Sequence, residues 1–299
     1  MPIATWNVNS LKARQDAVEG WMARARPEIL LMQETKLGDG DAPVMAFAML
    51  GYQLVHHGEG RWNGVAIAVR DGLAVSDIVT NFGDGPVRDS GPGGTAGNED
   101  DFHPFDEARM VAATVDGLRV VSVYVPNGRV VGSEFYAGKL RWFERLGRWL
   151  DDEVAAGRGE TLVVGGDYNV APGEIDVWDP RAVHGGTHVS PAERDAIAAL
   201  KGRGLMDAYR ARHQESGRYS WWDYRAGMFH KNFGMRIDLL LVGAAVAARI
   251  VDAEIDRAAR KGPPVPSDHA PVTMDLDEPG APLAPDWEGA LGRIAKRSR

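Results

Sequence analysis

Asp167 and Asn169 stand two positions apart, directly after the apolar segment 161–164 and the pair Gly165 and Gly166. On an extended backbone, residues i and i+2 point to the same side, so this spacing predicts a carboxylate and an amide that project together. Ligands of open α/β sheets bind at the carboxyl ends of strands. Gly, Asp and Asn are also the usual residues of tight turns, so an ordinary turn is the alternative.

Other apolar segments are followed by, or end in, polar side chains of the same kinds. These are Asn7 with Asn9, Glu34, Tyr124 with Asn127, Asp238, and Asp268 with His269. Each has a simple structural explanation. Glu34, for example, could pair with Lys36 on the surface, and Asp238 could balance Arg236. An ionisable group beside an apolar strand costs free energy unless it is used, so their recurrence favours one shared site.

The chemistry of this set points to a hard metal ion. Apart from the imidazole of His269, its members offer oxygen donors, which suit Mg²⁺, with Mn²⁺ as a second possibility. Carboxylates, amides, a phenol and a histidine around such an ion are typical equipment for hydrolysing a phosphoester. A zinc site at His184 and His188 is the alternative, although their glycine pair breaks a helix and no third ligand is near in sequence.

Composition limits the class of protein. The chain has 299 residues, 44% of them hydrophobic, and a net charge of −8. Without cysteine it has no disulfides and no cysteine-based zinc site. The negative charge argues weakly against a nucleic-acid partner, but a metal site consumes carboxylates and a local basic patch can exist on an acidic protein. No signal peptide or membrane-spanning segment is recognised, and a cytoplasmic location is expected, with association with the nucleoid if the protein is bacterial. A monomer is expected.

The elements that must position these residues follow from periodicity. Helical spacing predicts helices over 13–26, with Pro27 beyond the end, and over 136–154 and 190–209. Two strands, 64–69 and 73–79, are predicted to be joined by a tight turn at 70–72.

Further strands and turns complete the predicted fold class. The segment 109–126 has the pattern of a β-hairpin about Asp116 and Gly117. The two halves of the chain repeat the same kinds of element, which predicts an α/β fold in which two sheets pack face to face with helices outside. Residues 1–276 are predicted to form one domain with a Gly/Pro/Asp-rich surface loop at 83–107. The tail 277–299 is predicted to be partly disordered.

Nine motifs, spread in order between residues 3 and 272, carry a family resemblance. They are IATWNVNSLKAR, LLMQETKL, NGVAI, VYVPNG, VVGGDYNVAP, SPAER, YSWWDYR, MRIDLLL and PSDHAPV. The chain resembles the exonuclease III / class II apurinic–apyrimidinic (AP) endonuclease family of the endonuclease–exonuclease–phosphatase superfamily. YSWWDYR and MRIDLLL are the motifs that narrow the resemblance to the DNA-repair branch.

The resemblance implies a four-layered α/β sandwich and a Mg²⁺-dependent nuclease. Such an enzyme cuts duplex DNA 5′ to abasic sites and removes nucleotides or blocking groups from 3′ ends. The chain departs from the family in two places: position 9 is Asn where some members have Asp, and the loop 83–107 is longer than usual.

The resemblance also implies metal ligands and catalytic residues. The metal ligands are Asn7, Glu34 and Asp268, joined by Asp167, Asn169 and His269 if a second ion binds. Asp167 would align or deprotonate the attacking water, and Asn169 would hold that water or the phosphate. Asp238 would orient His269 toward a phosphate oxygen, and Tyr124 would act on the phosphate as a donor.

Residues for substrate binding follow in the same way. Asn127 and Arg129 are expected to contact DNA, and Trp221, Met235 and Ile237 to form an apolar slot for the abasic deoxyribose. The alternative is that these three are simply core residues. The glycines 165 and 166 are expected to let the backbone approach DNA.

Two rival functions remain. One is a metal-dependent phosphatase or phosphodiesterase acting on a small molecule or lipid, against which the aromatic WWDYR segment argues. The other is a non-catalytic module that binds DNA or protein, which would require one of the site positions to be lost, and all are present.

Overall fold

The computed structural model describes residues 1–83, 107–263 and 265–297, so most of the predicted loop 83–107 lies outside the described residues. Within these ranges the chain forms two six-stranded sheets. Their strands are β1 Pro2–Asn7, β2 Ile29–Gln33, β3 Tyr52–His57, β4 Val65–Arg70, β5 Val75–Thr80, β6 Met110–Val115, β7 Leu118–Tyr124, β8 Leu162–Asp167, β9 Met206–Asp207, β10 Asp238–Val242, β11 Ile250–Ile255 and β12 Val272–Leu276.

Both sheets are mixed. The first has the order β11-β12-β1-β2-β4-β3 and the second the order β5-β6-β7-β8-β10-β9. Strands β1 and β2 pair in parallel in the first sheet, as β7 and β8 do in the second. The prediction of two mixed sheets with helices outside is therefore confirmed. The helices are α1 Leu11–Ala25, α2 Val44–Met49, α3 Glu134–Ala155, α4 Pro191–Lys201, α5 Ala208–Arg212, α6 Met228–Lys231, α7 Ala244–Ala247 and α8 Trp287–Arg297.

The core lies in three apolar layers. Side chains such as Leu31, Val163 and Leu240 fill the space between the sheets. Trp21 of α1 packs on the outer face of the first sheet, and Trp142 of α3 packs on the outer face of the second. Central strands such as β2 and β8 are buried along their whole length, which explains their unbroken apolar sequence.

The helix start predicted at Ser190 is confirmed in detail. The Ser190 hydroxyl accepts from the backbone of Glu193, whose carboxylate accepts from the backbone of Ser190 in return, and Pro191 is the first helical residue. This capping box satisfies two backbone donors that the first turn leaves without partners.

The structure adds detail to two expectations. Strands β4 and β5 form where predicted, but the turn at 70–72 carries the chain from one sheet to the other, so the strands do not pair. The C-terminal tail contains helix α8, whose Trp287 is 4% exposed and lies in the core between the sheets. Burial of one large aromatic ring thus anchors one part of a tail that composition predicts to be partly disordered. Among the described residues, none of the helices is long and apolar enough to cross a membrane.

Arg236 lies in the interior close to the site, and we expect its removal to destabilise the fold. Its guanidinium is fully buried, with Nε 2.7 Å from Asp176 and Nη2 2.8 Å from Asp207. Arg236→Met keeps most of the side-chain volume but leaves the buried carboxylates of Asp176 and Asp207 without this cation. We expect the free energy of unfolding to fall by about 3–5 kcal/mol. Urea denaturation measures this directly. Arg225→Met is the control, because the side chain of Arg225 is 86% exposed. This substitution should change the free energy of unfolding by less than about 0.5 kcal/mol. An equal, small effect of both substitutions would contradict the prediction.

Candidate active site

Three polar residues lie side by side at one edge of the second sheet. Tyr124 ends β7 and is the parallel partner of Asp167, which ends β8. Asp238 is the antiparallel partner of Asp167. Asp238 begins its strand rather than ending it, but β10 runs in the opposite direction, so its first residue reaches the same edge. The strand register thus places a phenol and two carboxylates next to one another.

Asp167 and Asn169 are brought together by a turn and not by an extended strand. Asn169 has a left-handed backbone with φ of 51°. Its backbone N–H donates to Asp167 Oδ1 at 2.8 Å, and its Nδ2 donates to Asp167 Oδ2 at 3.3 Å. The turn interpretation is therefore correct and the extended backbone is not, although the turn still brings the two side chains together.

Gly165 and Gly166 serve packing, and the expectation that they let the backbone approach DNA is wrong. Both are buried within β8. A Cβ on Gly166 would lie 1.9 Å from the carbonyl oxygen of Val123 on the neighbouring strand, and one on Gly165 would lie 2.5 Å from Leu31 of the opposite sheet. Gly165 therefore lets the two sheets approach closely just below the site, and Gly166 lets β8 lie close to β7 within the second sheet.

The first sheet contributes Asn7, which ends β1, and Glu34, which follows β2. Asn7 Nδ2 donates to Glu34 Oε2 at 3.0 Å and to Asp167 Oδ2 at 3.0 Å. These two carboxylate oxygens are thus at most about 6 Å apart (3.0 + 3.0 Å), although they belong to different sheets. Glu34 adopts a left-handed backbone with φ of 57°, an uncommon conformation for glutamate that turns the chain where the strand ends.

His269 completes the cluster. Its Nδ1 is 2.9 Å from Asp238 Oδ2, and its Nε2 is 3.9 Å from Asp167 Oδ2. Asp238, its partner in this ring-to-carboxylate contact, is fully buried, so the imidazole is held in one orientation. Among the described residues, Asp167, Asp238 and His269 form one group whose ligand atoms lie within 4.8 Å of one another. This is the orienting arrangement of a carboxylate and a histidine.

Asp268 is held from two sides. Asn9 Nδ2 donates to its Oδ1 at 2.8 Å, and Trp221 Nε1 donates to its Oδ2 at 3.1 Å. Asn9 also accepts from Lys36 Nζ at 2.9 Å, which connects it to the segment of Glu34. The asparagine at position 9 therefore orients Asp268 through a neutral amide.

The electrostatics of the cluster fit proton transfer near neutral pH. Burial raises the pKa of Asp167 to about 7, with His269 opposing this shift and Asp238 adding to it. For His269, burial favours the neutral ring, but Asp238 and then Asp167 outweigh it and raise the pKa to about 10. Burial, followed by the nearby carboxylate of Glu34, raises the pKa of Tyr124 well above its usual range. The site therefore combines a carboxylate able to exchange a proton, a cationic imidazole and a protonated phenol.

The structural alternatives for single residues have different outcomes. Glu34 does pair with Lys36, at 2.8 Å, but its other oxygen faces Asn7 inside the site. Arg236 pairs with Asp176 and Asp207, so it does not balance Asp238. The zinc alternative finds little support, because His184 is exposed and His188 Nδ1 bonds the Asn169 carbonyl.

The predicted DNA contacts lie around this cluster. Asn127 is exposed, and its Nδ2 donates to Asn169 Oδ1 at 3.1 Å. Arg129 is exposed, and its guanidinium lies 3.7 Å from the ring centroid of Phe135.

The residues predicted for the slot lie together. Trp221 and Met235 exchange backbone hydrogen bonds of 2.9 and 3.0 Å and pack, half-buried, on a small apolar cluster that contains Ile237. Ile237 itself is 2% exposed. The ring centroid of Trp221 is 6.4 Å from that of His269, so the indole adjoins the polar cluster.

A magnesium ion fits the donor set. Glu34 and Asp268 supply hard carboxylate oxygens, and Asp167, Asn169 and His269 supply a second group beside them. The Asn7 amide presents its nitrogen to Glu34 and Asp167 while its Oδ1 accepts from the Asn9 backbone N–H, so it would have to turn over to coordinate an ion. Burial raises the pKa of Asp167 toward neutrality, so its carboxylate lacks a full complement of compensating positive charge. A divalent cation would provide that charge, which is the physical reason to assign one here.

The structure reveals supporting residues that sequence reasoning missed. Lys139 has a fully buried side chain, and its Nζ donates to the Asn169 carbonyl oxygen at 2.7 Å. His188 Nδ1 contacts the same oxygen. A signal for Lys139 existed, because it precedes Trp142 and Phe143 by three and four positions and so falls on the buried stripe of α3.

Comparison with known proteins places these features in context. Residues 4–269 match the Endonuclease/Exonuclease/phosphatase family. The chain is 29% identical over 291 residues to exodeoxyribonuclease III of Haemophilus influenzae, an alignment that covers 92% of this chain and 100% of that protein.

Solved structures give closer matches. NExo of Neisseria, a 3′ phosphatase bound to a product DNA hairpin, is 37% identical with a TM-score of 0.82, covering 93% of this chain and 100% of that one. An AP endonuclease from Archaeoglobus fulgidus is 33% identical with a TM-score of 0.81, covering 93% of this chain and 100% of that one.

Proposed function

Since the chain belongs to the Endonuclease/Exonuclease/phosphatase family, we propose that it is a DNA-repair nuclease. It would use Mg²⁺ to cut the phosphodiester 5′ to abasic sites and to remove nucleotides or blocking groups from 3′ ends. The observation that carries the proposal is the convergence of Glu34 and Asp167, from different sheets, on the amide of Asn7. The relatives support the choice of substrate, because they include an exodeoxyribonuclease III, an AP endonuclease and a 3′ phosphatase bound to DNA.

The protein groups divide the work of hydrolysis. Asp167 accepts a proton from the attacking water while Asn169, which donates to the same carboxylate, orients that water. His269 is held by Asp238 and presents a positive charge to a phosphate oxygen, and Tyr124 adds a phenolic donor. Glu34, Asn7 and Asp268 would hold the metal ion. A bound Mg²⁺ supplies positive charge to the phosphate and lines up the reacting groups.

A substrate panel separates this function from its main rival. The protein should release phosphate from duplex DNA with a 3′-phosphate in the presence of Mg²⁺. It should act far more slowly on sugar phosphates and on vesicles that contain phosphoinositides, because the exposed Asn127 and Arg129 and the half-buried Trp221 flank the site with groups suited to an extended polymer. Preferential hydrolysis of either small-molecule class would favour the rival phosphatase.

Selectivity for abasic DNA provides a second test. An abasic sugar has no base to unstack, so it leaves the helix more easily than an intact nucleotide and fits a slot too small for a base. If Trp221 lines this slot, Trp221→Ala should narrow the ratio of abasic to undamaged cleavage by about tenfold or more.

The variant Trp221→Phe provides the matched control. It loses the indole donor to Asp268 but keeps an aromatic wall, so it should retain most of the selectivity. Thermal melting of both variants separates packing from recognition. A fall in stability of about 3–5 kcal/mol with unchanged selectivity would make Trp221 a core residue.

A further inference from the structure

The backbone carbonyl of Asn169 receives two side-chain donors from behind the active site. Lys139 Nζ lies 2.7 Å from this oxygen, and His188 Nδ1 also contacts it. A carbonyl oxygen can only accept, so His188 must carry a hydrogen on Nδ1. Both contacts converge on a residue in the left-handed conformation, with φ of 51°. The surrounding structure must maintain such a conformation.

These donors belong to a buried polar group that we call the Lys139 cluster: Lys139, Thr187, His188 and Glu193. The side chains of Lys139 and Glu193 are fully buried and form an ion pair. The Glu193 carboxylate also accepts from Thr187 Oγ1 at 3.1 Å and from the His188 backbone N–H at 3.0 Å. Glu193 thereby fixes the segment that carries His188, and the ring of His188 is held against Asn169.

The Lys139 cluster also contacts the loop that carries Asn127. Thr187 Oγ1 lies 3.1 Å from the Asn127 carbonyl oxygen as well as 3.1 Å from the Glu193 carboxylate, so its single hydrogen is shared between these two acceptors. Asn127 Nδ2 donates to Asn169 Oδ1 at 3.1 Å. The two asparagines are therefore held both by their main chains and by the bond between their side chains. If the Asn169 carbonyl moved, the side-chain amide of Asn169 would turn away from Asp167, to whose Oδ2 the amide Nδ2 donates at 3.3 Å.

We propose that His188 is a positioning residue for the reaction, whose Nδ1–H, together with the Lys139 ammonium, fixes the Asn169 loop so that the side-chain amide of Asn169 stays beside Asp167, where it orients the attacking water. This inference rests on the proposed nuclease function. His188 acts through Asn169 and touches no reacting atom. Groups that orient the side chains at a reaction centre are commonly worth 10- to 100-fold in activity.

Two substitutions separate the hydrogen bond from the ring. His188→Phe keeps a planar ring beside Trp221, 6.4 Å away between centroids, but has no donor. His188→Asn removes the ring but places an N–H donor on Cγ, where the imidazole has Nδ1. On abasic duplex with Mg²⁺, we expect His188→Phe to lower kcat by about tenfold or more. His188→Asn should recover most of the loss. The Kd for uncut duplex, measured in EDTA, should stay within about twofold of wild type for both, since charge contacts to the DNA backbone are unchanged.

A control in the same loop is available. His184 is exposed, so His184→Phe should leave kcat and Kd at their wild-type values. Melting curves establish that each protein is folded, and His188→Leu serves as the donor-free variant if His188→Phe is not.

Three results would overturn the positioning role. They are wild-type kcat in the donor-free variant, equal loss in His188→Phe and His188→Asn, or a loss that only follows the fraction of folded protein. A different result would contradict the proposed function itself. In that case a folded wild-type protein with Mg²⁺ would cut neither abasic duplex nor 3′-blocked duplex.

Discussion

Asp167→Asn should lower kcat on abasic duplex by on the order of 10²- to 10⁴-fold, the range expected when a general base is lost. The substitution keeps the shape of the side chain and an oxygen that can accept from the Asn169 backbone, so the turn should survive. It removes the carboxylate that would accept a proton from the attacking water. Affinity for uncut DNA should change little, because DNA backbone contacts and not this buried carboxylate dominate binding.

Single-turnover kinetics and equilibrium binding in EDTA measure the two quantities separately. Asp71→Asn is a suitable control, since Asp71 is exposed and follows the end of β4 that lies away from the site. It should leave both quantities unchanged. If Asp167→Asn raised KM while kcat stayed at the wild-type value, Asp167 would not act on the attacking water.

Glu34→Gln should lower the rate at a fixed, low Mg²⁺ concentration by on the order of 10²-fold or more, because a metal ion contributes several kcal/mol of charge stabilisation. Glutamine preserves the size of the side chain but loses its negative charge, and with it the strongest attraction for a cation on this side of the site. The left-handed turn at Glu34 does not depend on that charge, so the protein should fold. Titration with Mg²⁺ should show half-maximal activity at a higher concentration than in wild type.

The melting temperature over the same Mg²⁺ concentrations tests metal binding without relying on activity. Mg²⁺ should raise the melting temperature of the wild-type protein, because a ligand that binds only the folded state stabilises it. The same Mg²⁺ concentrations should raise the melting temperature of Glu34→Gln by less. Glu28→Gln, which changes a carboxylate just before the opposite end of the same strand, should respond like wild type. Unaltered Mg²⁺ dependence of Glu34→Gln would remove Glu34 from the metal site.

Much of the fold is predictable because its signals are local. The hairpin about Asp116 and Gly117 and the helix start at Ser190 depend on residues only a few positions apart, and both occur where predicted. The change of sheet between β4 and β5 is a different case. A short turn is compatible with either pairing or separation, and only packing against the rest of the chain decides between them.

The site was predictable as a set of residue types but not in its geometry. Strand-end positions indicated Asp167 and Asp238, yet the left-handed conformations of Glu34 and Asn169 depend on hydrogen bonds that sequence spacing does not reveal. The role of Gly166 was also hidden, because the atom that it accommodates belongs to Val123, far away in sequence. Contacts of this long range arise from tertiary packing, which local patterns do not encode.

The most direct test of the nuclease assignment is incision of a 5′-labelled duplex that contains one abasic-site analogue. With Mg²⁺, the wild-type protein should first yield a labelled product that ends in a 3′-hydroxyl immediately 5′ to the analogue, and removal of nucleotides from this new 3′ end should then shorten it. EDTA should abolish this product, and excess Mg²⁺ should restore it. A folded protein that leaves the duplex intact at saturating Mg²⁺, or cuts it equally well in EDTA, would contradict the assignment.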